Sequence, residues 1–351
     1  MIRVLVVDDS PVFKTLMMKC LSADPLLEVA GIASNGKEAI MLNEKLNPDV
    51  ITMDVNMPVL NGLDATKIIM EKKPVPIIIV SSEFDPKNVN DTFKALEAGA
   101  VAVAEKPHSF GSEAFEISSA KLRQTIRLMS EIKVVRRSAA SGLNLEGFSP
   151  ITRAVPAQDE KDYQIVAIGA STGGPVVIEK VLASIKESFY IPIVIVQHIV
   201  PAFAQGFVDW LRSTTRYTVK FAEDHEVPRP RHCYIAPPDK HLVFSRDGNF
   251  AFSSGEAVNN SVPSVSVFFN SVASVYGRKA IGILLSGMGK DGAAELKEIK
   301  DAGGLTIAQN KASCVVYGMP AEAVNIGAAS LILAPDDISN YLNLIKLRGK
   351  G

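Results

Sequence analysis

A series of short β-branched and aliphatic runs in this chain each stop abruptly on a polar side chain or a glycine turn, and helical spacing follows. Ile2-Arg-Val-Leu-Val-Val-Asp-Asp9, Pro48-Asp-Val-Ile-Thr-Met-Asp54, Pro76-Ile-Ile-Ile-Val-Ser81 and Ala100-Val-Ala-Val-Ala-Glu-Lys-Pro107 make the pattern in the first third. Gln164-Ile-Val-Ala-Ile-Gly-Ala-Ser-Thr-Gly-Gly-Pro175, Ile191-Pro-Ile-Val-Ile-Val-Gln-His198 and Ala280-Ile-Gly-Ile-Leu-Leu-Ser-Gly-Met-Gly-Lys-Asp291 repeat it later. Runs this apolar are strands covered on both faces, and strands alternating with helices build right-handed parallel sheets. In such sheets ligands sit beyond the carboxyl ends of the strands, where these runs carry their polar residues.

In the later group, Gly169 to Gly173 fits the Gly-x-Ser-x-Gly turn, whose glycines allow a cramped backbone and leave a serine oxygen exposed. The same stretch also reads as a phosphate-cradling turn at a helix N-terminus. The neighbouring strand ends favour the first reading. Three of them can deliver Ser171, His198 and Asp291 to one place. Serine alone is a poor nucleophile; an imidazole of ordinary pKa about 6.5 can take its proton, and a carboxylate can orient that imidazole. The order Ser, His, Asp differs from the Ser, Asp, His order of α/β-hydrolases, so the turn does not imply that fold. Each residue also has a plain alternative: Ser171 as a turn cap, His198 as a hydrogen-bonded structural residue, Asp291 as N-cap of a helix from Ala293 to Ala302.

The first group gathers carboxylates instead. Asp8, Asp9 and Asp54 repel one another unless something positive intervenes, and a hard divalent ion with oxygen ligands, Mg2+ above all, is the natural neutraliser. Asp54 could then accept a phosphoryl group, with Lys106 and Ser81 holding its oxygens. A helix N-cap is the alternative for the Asp8-Asp9 pair taken alone.

The chain has 351 residues, 47% of them hydrophobic, and a formal charge of −1. That is enough for two cores, and it offers no basic surplus for nucleic acid. Cys20, Cys233 and Cys314 are far apart and lack metal-ligand spacing, so free buried thiols in the reducing cytoplasm are expected. The sequence reads without a signal peptide or an apolar span of about 20 residues, so no membrane insertion is expected. A helix over Phe115 to Val135 carries Lys121, Arg123, Arg127, Lys133, Arg136 and Arg137, read as a solvated face. The stretch from Ser138 to Glu160 lacks an apolar period and reads as a linker. His225, His232 and His241 are expected at the surface by default, His241 in a loop before a strand over Leu242 to Phe244, with cleft lining the alternative for His232 and His241 and no chemistry assigned to either. Phe203, Phe207 and Trp210 are expected in the core of one amphipathic helix.

Val6-Val-Asp-Asp-Ser10, Met53-Asp-Val-Asn-Met-Pro58, Asn61-Gly-Leu63, Val80-Ser-Ser82 and Glu105-Lys-Pro107 fall in the order and spacing of a response-regulator receiver domain, which residues 1–122 resemble. After a helical extension and linker over 123–160, residues 161–351 resemble the catalytic domain of the CheB family of chemotaxis methylesterases. The carrying segments are Gly169-Ala-Ser-Thr-Gly-Gly174, Val196-Gln-His198, His232-Cys-Tyr-Ile-Ala-Pro-Pro-Asp-Lys-His-Leu242, Ser286-Gly-Met-Gly-Lys-Asp-Gly292 and Val315-Val-Tyr-Gly-Met-Pro320.

The resemblance implies an α/β chain of two doubly wound parallel-sheet domains, a flavodoxin-like receiver and a Rossmann-like esterase domain. It implies a phosphorylation-activated hydrolase that removes methyl groups from glutamate side chains on the cytoplasmic parts of chemoreceptors, releasing methanol; some members also deamidate receptor glutamines. By carry-over Ser171 is the nucleophile, His198 the base and Asp291 its orienter, with the Thr172 hydroxyl and the Met288 N–H as oxyanion donors. Asp54 receives the phosphoryl group from a histidine kinase, with Asp8, Asp9, Asp54 and Asn56 around Mg2+. In the family the unphosphorylated receiver obstructs the catalytic mouth.

The chain also departs from the family. Val262-Pro-Ser-Val-Ser266 stands for the usual Arg-Pro-Ser-Val-Asp, Ala321 for a common arginine, Asn56 for a common glutamate and Val103 for a common aromatic. Losing two cations near the cleft can weaken or redirect recognition of acidic receptor segments. Two other readings stand beside the esterase: a receiver-controlled binding module on an inactive scaffold, and a methylesterase for another methylated partner. A transcription factor is disfavoured, since no helix-turn-helix pattern follows the receiver.

Overall fold

The computed structural model describes residues 1–81, 86–132, 134 and 162–345, excepting the side chains of 86–90. The chain divides into two compact units, residues 1–148 and 149–351.

The first unit alternates strands and helices without a break: β1 (Ile2–Val7), α1 (Pro11–Ser22), β2 (Leu27–Ala33), α2 (Gly36–Leu46), β3 (Val50–Met53), α3 (Gly62–Lys72), β4 (Ile77–Ser81), α4 (Pro86–Ala98), β5 (Ala102–Glu105) and α5 (Glu113–Ser130). The strands form one parallel sheet in the order β2-β1-β3-β4-β5. Strands β3 and β4 are buried along their whole length, as continuous aliphatic runs require. The order reverses between β1 and β3, so Asp8 and Asp54 leave adjacent strands at a switch point. Helix α5 runs unbroken past residue 122, burying Leu122, Ile126 and Met129. Its basic face is partly engaged: Arg127 pairs with Asp24 at 2.9 Å, and Arg123 donates to the Cys20 carbonyl. Ser82, Lys133, Arg136, Arg137 and the linker over 138–160 lie outside the described residues.

The second unit runs β6 (Ile165–Ala170), α6 (Gly174–Ser184), β7 (Ile193–Gln197), α7 (Pro201–Thr214), β8 (Thr218–Phe221), β9 (His232–Ile235), β10 (His241–Phe244), β11 (Phe250–Ser253), α8 (Val265–Tyr276), β12 (Ala280–Leu284), α9 (Ala293–Asp301), β13 (Leu305–Gln309), α10 (Met319–Asn325), β14 (Leu331–Leu333) and α11 (Pro335–Leu344). Its main sheet is parallel throughout, in the order β14-β13-β12-β6-β7-β9-β8. Strand β6 is central, with β12 on one side and β7 on the other. Phe203, Phe207 and Trp210 are buried on α7, as the spacing predicts.

Strands β10 and β11 form a separate antiparallel pair; the sequence predicts a strand over Leu242 to Phe244 but not its pairing with β11. It packs on α8, where Phe244 stacks with Phe250 and meets Tyr276 edge-on. This pair also overturns the surface assignment of His241, which is 1% exposed at the first position of β10. His225 is exposed, and His232 is half-buried against Tyr234. All three cysteines are free, with Cys20 and Cys233 buried and Cys314 only partly so. Among the described residues no helix is long and apolar enough to cross a membrane.

Candidate active site and receiver site

The cleft of the second unit is built at its own switch point, where β12, β6 and β7 end side by side. Parallel register aligns Ala170 with Gln197, so Ser171 and His198 leave their strands at one level. His198 N–H donates to the Ala170 carbonyl at 2.9 Å. The turn after β6 is cramped for a visible reason: a β-carbon at Gly169 would stand 2.3 Å from Val265 Cγ1 at the start of α8. Gly173 takes a φ of 79°, which few residues tolerate, and opens α6 without a side-chain cap. Ser171 is therefore not the cap of that helix. Its carbonyl accepts from Gly174 N–H, and its own N–H donates to the Ser286 carbonyl.

Asp291 lies at the far side of the same cleft. His198 Nε2 is 2.9 Å from Asp291 Oδ2. The carboxylate also accepts from Asn259 Nδ2 at 2.9 Å, Ser264 Oγ at 2.8 Å, Val265 N–H at 2.7 Å and Ser266 N–H at 3.1 Å. Two of those donors are the first backbone amides of α8, so a helix N-terminus faces the negative charge. Burial alone would raise the pKa of Asp291; hydrogen bonds from His198, Asn259 and Ser264 outweigh it and hold the carboxyl well below the usual carboxylate range. The capping alternative for Asp291 is corrected here, because α9 opens on Gly292 at φ 80° with no side-chain cap.

An ionised Asp291 can only accept, so His198 Nε2 carries the hydrogen of this bond, and in the neutral ring the lone pair is on Nδ1. Nδ1 is then the ring nitrogen available to a hydroxyl. The candidate oxyanion donors flank the serine. Thr172 follows it, half-buried, and Met288 follows Gly287, where a β-carbon would stand 2.8 Å from Ser171 Cβ. The Met288 side chain is 42% exposed.

Several polar residues that sequence reasoning missed hold this arrangement. Gln197 is buried, and its Nε2 donates to the carbonyls of both Ser171 and His198, at 2.9 and 2.8 Å. Ser286 is fully buried; its hydroxyl donates to the Thr172 carbonyl at 2.8 Å and accepts from Val316 N–H. Gln309 Oε1 accepts from Ser286 N–H at 2.8 Å. The signal was available for Gln197, a polar residue inside an otherwise apolar strand end. Of the family departures, Ser266 accepts from Gly292 N–H at 2.9 Å and donates to the Glu295 carboxylate at 2.6 Å, tying α8 to the Asp291 turn and to α9.

The first unit carries the other site. Asp8, Asp9 and Asp54 each offer an oxygen within 4.8 Å of the others. Asp8 and Asp54 are buried, and Asp9 is exposed. Lys106 Nζ reaches Asp8 at 2.6 Å and Asp54 at 3.2 Å, lying over the Phe13 ring. Burial, opposed by Lys106 and reinforced by Asp8, raises the Asp54 carboxyl to about 6. Helix α1 is capped by Ser10, which accepts from Phe13 N–H, so the Asp8-Asp9 pair is not its cap. Ser81 is buried at the end of β4, level with Glu105, and Asn56 is exposed two residues beyond Asp54.

Known proteins share both sites' frames. Residues 166–342 match the CheB methylesterase family model, and residues 4–112 match the response regulator receiver domain model. The chain is 46% identical to a protein-glutamate methylesterase/protein-glutamine glutaminase of Syntrophus aciditrophicus, covering 99% of each chain. It is 43% identical to the Nitrosospira multiformis protein of the same name, covering 100% of this chain and 99% of that one. A solved structure, the Thermotoga maritima CheB methylesterase catalytic domain, matches with a TM-score of 0.50 at 38% identity, covering 52% of this chain and 97% of the other. With two parallel-sheet units in receiver-then-esterase order and relatives alike over their full length, the chain belongs to the CheB methylesterase family, with a response-regulator receiver domain at its N-terminal end.

Proposed function

We propose that this protein is a protein-glutamate methylesterase and glutaminase that hydrolyses methyl-esterified glutamate side chains of chemoreceptors under control of its receiver. The observation that carries the reading is the His198–Asp291 hydrogen bond at the strand end beside Ser171. Ser171 Oγ attacks the ester carbonyl while His198 Nδ1 takes its proton. The tetrahedral oxyanion is met by the Met288 N–H and the Thr172 hydroxyl. Collapse breaks the bond to the methoxy oxygen, which leaves as methanol with the proton that His198 returns. Water then attacks the acyl-serine, giving its proton to His198, and the glutamate is released as Ser171 recovers its hydrogen. Asp291 orients the ring throughout and stabilises its cation. A glutamine amide passes through the same oxyanion and releases ammonia instead of methanol.

In the receiver, assigned to residues 1–122, Asp54 accepts a phosphoryl group from a histidine kinase, with Lys106 Nζ and the Ser81 hydroxyl binding its oxygens. The carboxylates suit Mg2+: three hard oxygen donors converge, and two of them are buried at the cost of mutual repulsion. Asp8, Asp9, Asp54 and Asn56 would hold the ion, which supplies charge neutralisation for the incoming phosphoryl oxygens. Phosphorylation then raises the activity of the esterase domain, assigned to 161–351, with the extension and linker assigned to 123–160. Its substrates are the cytoplasmic parts of the receptors, and the protein works in the cytoplasm.

The test is methanol release from methylated receptor membranes, with and without a small-molecule phosphodonor. Wild type should be stimulated by the donor, Asp54→Asn should keep basal turnover without stimulation, and Ser171→Ala should release nothing. Normal turnover by Ser171→Ala would end the assignment.

A further inference from the structure

His241 lies outside the triad, yet its ring is bonded on both sides. Its Nδ1 accepts the Ser264 N–H at 3.1 Å, and its Nε2 is 3.0 Å from the Glu256 carbonyl. A backbone amide only donates and a carbonyl only accepts, so both contacts are satisfied by one species alone: the neutral ring with its proton on Nε2. The imidazole is 1% exposed, and among the described residues it is the acceptor of the Ser264 N–H.

Ser264 is the pivot. It is fully buried, caps α8 by accepting from Val267 N–H, and donates its hydroxyl to Asp291 Oδ1 at 2.8 Å. Residues 264, 265 and 266 contribute three of the donors on that carboxylate. The orientation of this backbone therefore sets where the Asp291 oxygens lie, and so the angle at which Asp291 holds His198. If the Ser264 N–H loses its acceptor, the amide must turn or remain unsatisfied in a buried place.

Building on the triad reading of the proposed function, we propose that His241 is a positioning residue for ester hydrolysis: its Nδ1 pins the Ser264 backbone, and through Ser264 it aims the Asp291 carboxylate at His198. It touches no reacting atom. Its effect belongs in kcat rather than KM, because the substrate is bound elsewhere and only the set of the base is disturbed.

Two amides separate this role from mere packing. In His241→Asn the side-chain oxygen stands where Nδ1 was and still accepts from Ser264. In His241→Gln the amide nitrogen stands where Nε2 was and keeps the Glu256 contact, leaving Ser264 without an acceptor. Full-length variants would be assayed for methanol release from methylated receptor membranes, with folding checked by hydrogen exchange and Ser171→Ala as reference. The expected result is kcat within about 3-fold of wild type for Asn and about 10-fold lower for Gln, the scale of lost outer-layer orienting partners, with KM unchanged in both. Equal activity of the two variants, or the reverse order, with Ser171→Ala inactive, overturns the positioning role alone. Retained turnover in Ser171→Ala overturns the triad and this role together.

Discussion

His198 and Asp291 meet at 2.9 Å across the cleft, yet they come from strands that are not neighbours: β7 and β12 flank β6 on opposite sides. The imidazole thus spans the strand that ends in Ser171. Because Asp291 is ionised and accepts from five donors, its replacement by the isosteric amide forces at least one of those contacts into a donor–donor clash. Asp291→Asn should lower kcat by a large factor, up to about ten thousand by triad precedent. KM should change little. Kinetics equal to wild type would reduce Asp291 to a helix-terminus anchor.

Gln197 offers a second test of how the site is held. Its single amide nitrogen satisfies the carbonyls after two adjacent strands, those of Ser171 and His198. Gln197→Leu keeps the volume and removes that donor from two half-buried carbonyls, of which the Ser171 one keeps Gly174 N–H. It also removes the buried Gln197 Oε1, which has no partner among the described residues, so the net cost is about 1 kcal/mol. Denaturant unfolding should show that loss, and kcat should fall with it as the two strand ends drift apart. Unaltered stability together with unaltered kcat would mean that the sheet hydrogen bonds alone fix the site.

What could be read in advance, and what could not, follows from locality. The strand ends carrying Asp8, Asp54, Ser171 and His198 were legible because parallel strands buried on both faces are unbroken apolar runs, so a polar residue at the end stands out. The sheet orders were not. That β6 lies between β12 and β7 depends on which helices cover which face, and no stretch of the chain records it. The setting of Asp291 was hidden for the same reason: besides His198, its donors lie 25 to 32 positions earlier, at Asn259 in the loop before α8 and at the start of that helix. Read locally, an aspartate before Ala293 resembles a cap; in the fold it faces a different helix. His241 was misjudged because the prolines and charges preceding it suggested a loop, whereas it starts β10 beneath the Asp291 network.

Asp54 makes a prediction about pH. Its carboxyl rises from an ordinary 3.8 to about 6 on folding, chiefly through burial. A carboxyl raised in this way opposes folding once ionised: the penalty is absent below about 3.8, grows with pH and is complete above about 6. Asp54→Asn removes it. In EDTA the variant's receiver should be more stable than wild type at pH 7.5, by on the order of 2 kcal/mol, and the gain should vanish near pH 3.5. Adding Mg2+ at pH 7.5 should stabilise wild type more than the variant, narrowing the gap. A gap that ignores both pH and Mg2+ would show that Asp54 carries no buried charge.

Val59 sits in the loop between Asp54 and α3 with a φ of 68° and is 80% exposed. A β-branched residue in the left-handed region is strained, and at this exposure its side chain buries little area to offset the strain. Glycine adopts that backbone freely, although it also gains freedom in the unfolded chain. Subtracting about 0.5–1 kcal/mol for that freedom from a strain of about 1–3 kcal/mol leaves a net gain of about 1 kcal/mol for Val59→Gly. The receiver's denaturant midpoint should rise accordingly. Asp54 lies five residues earlier in the same β3–α3 connection, so the variant also reports on function: a stabilised receiver with unchanged phosphodonor response would make the strain incidental. Slower or weaker stimulation would make the left-handed Val59 part of how the loop answers phosphorylation. A fall in stability would refute the strain itself.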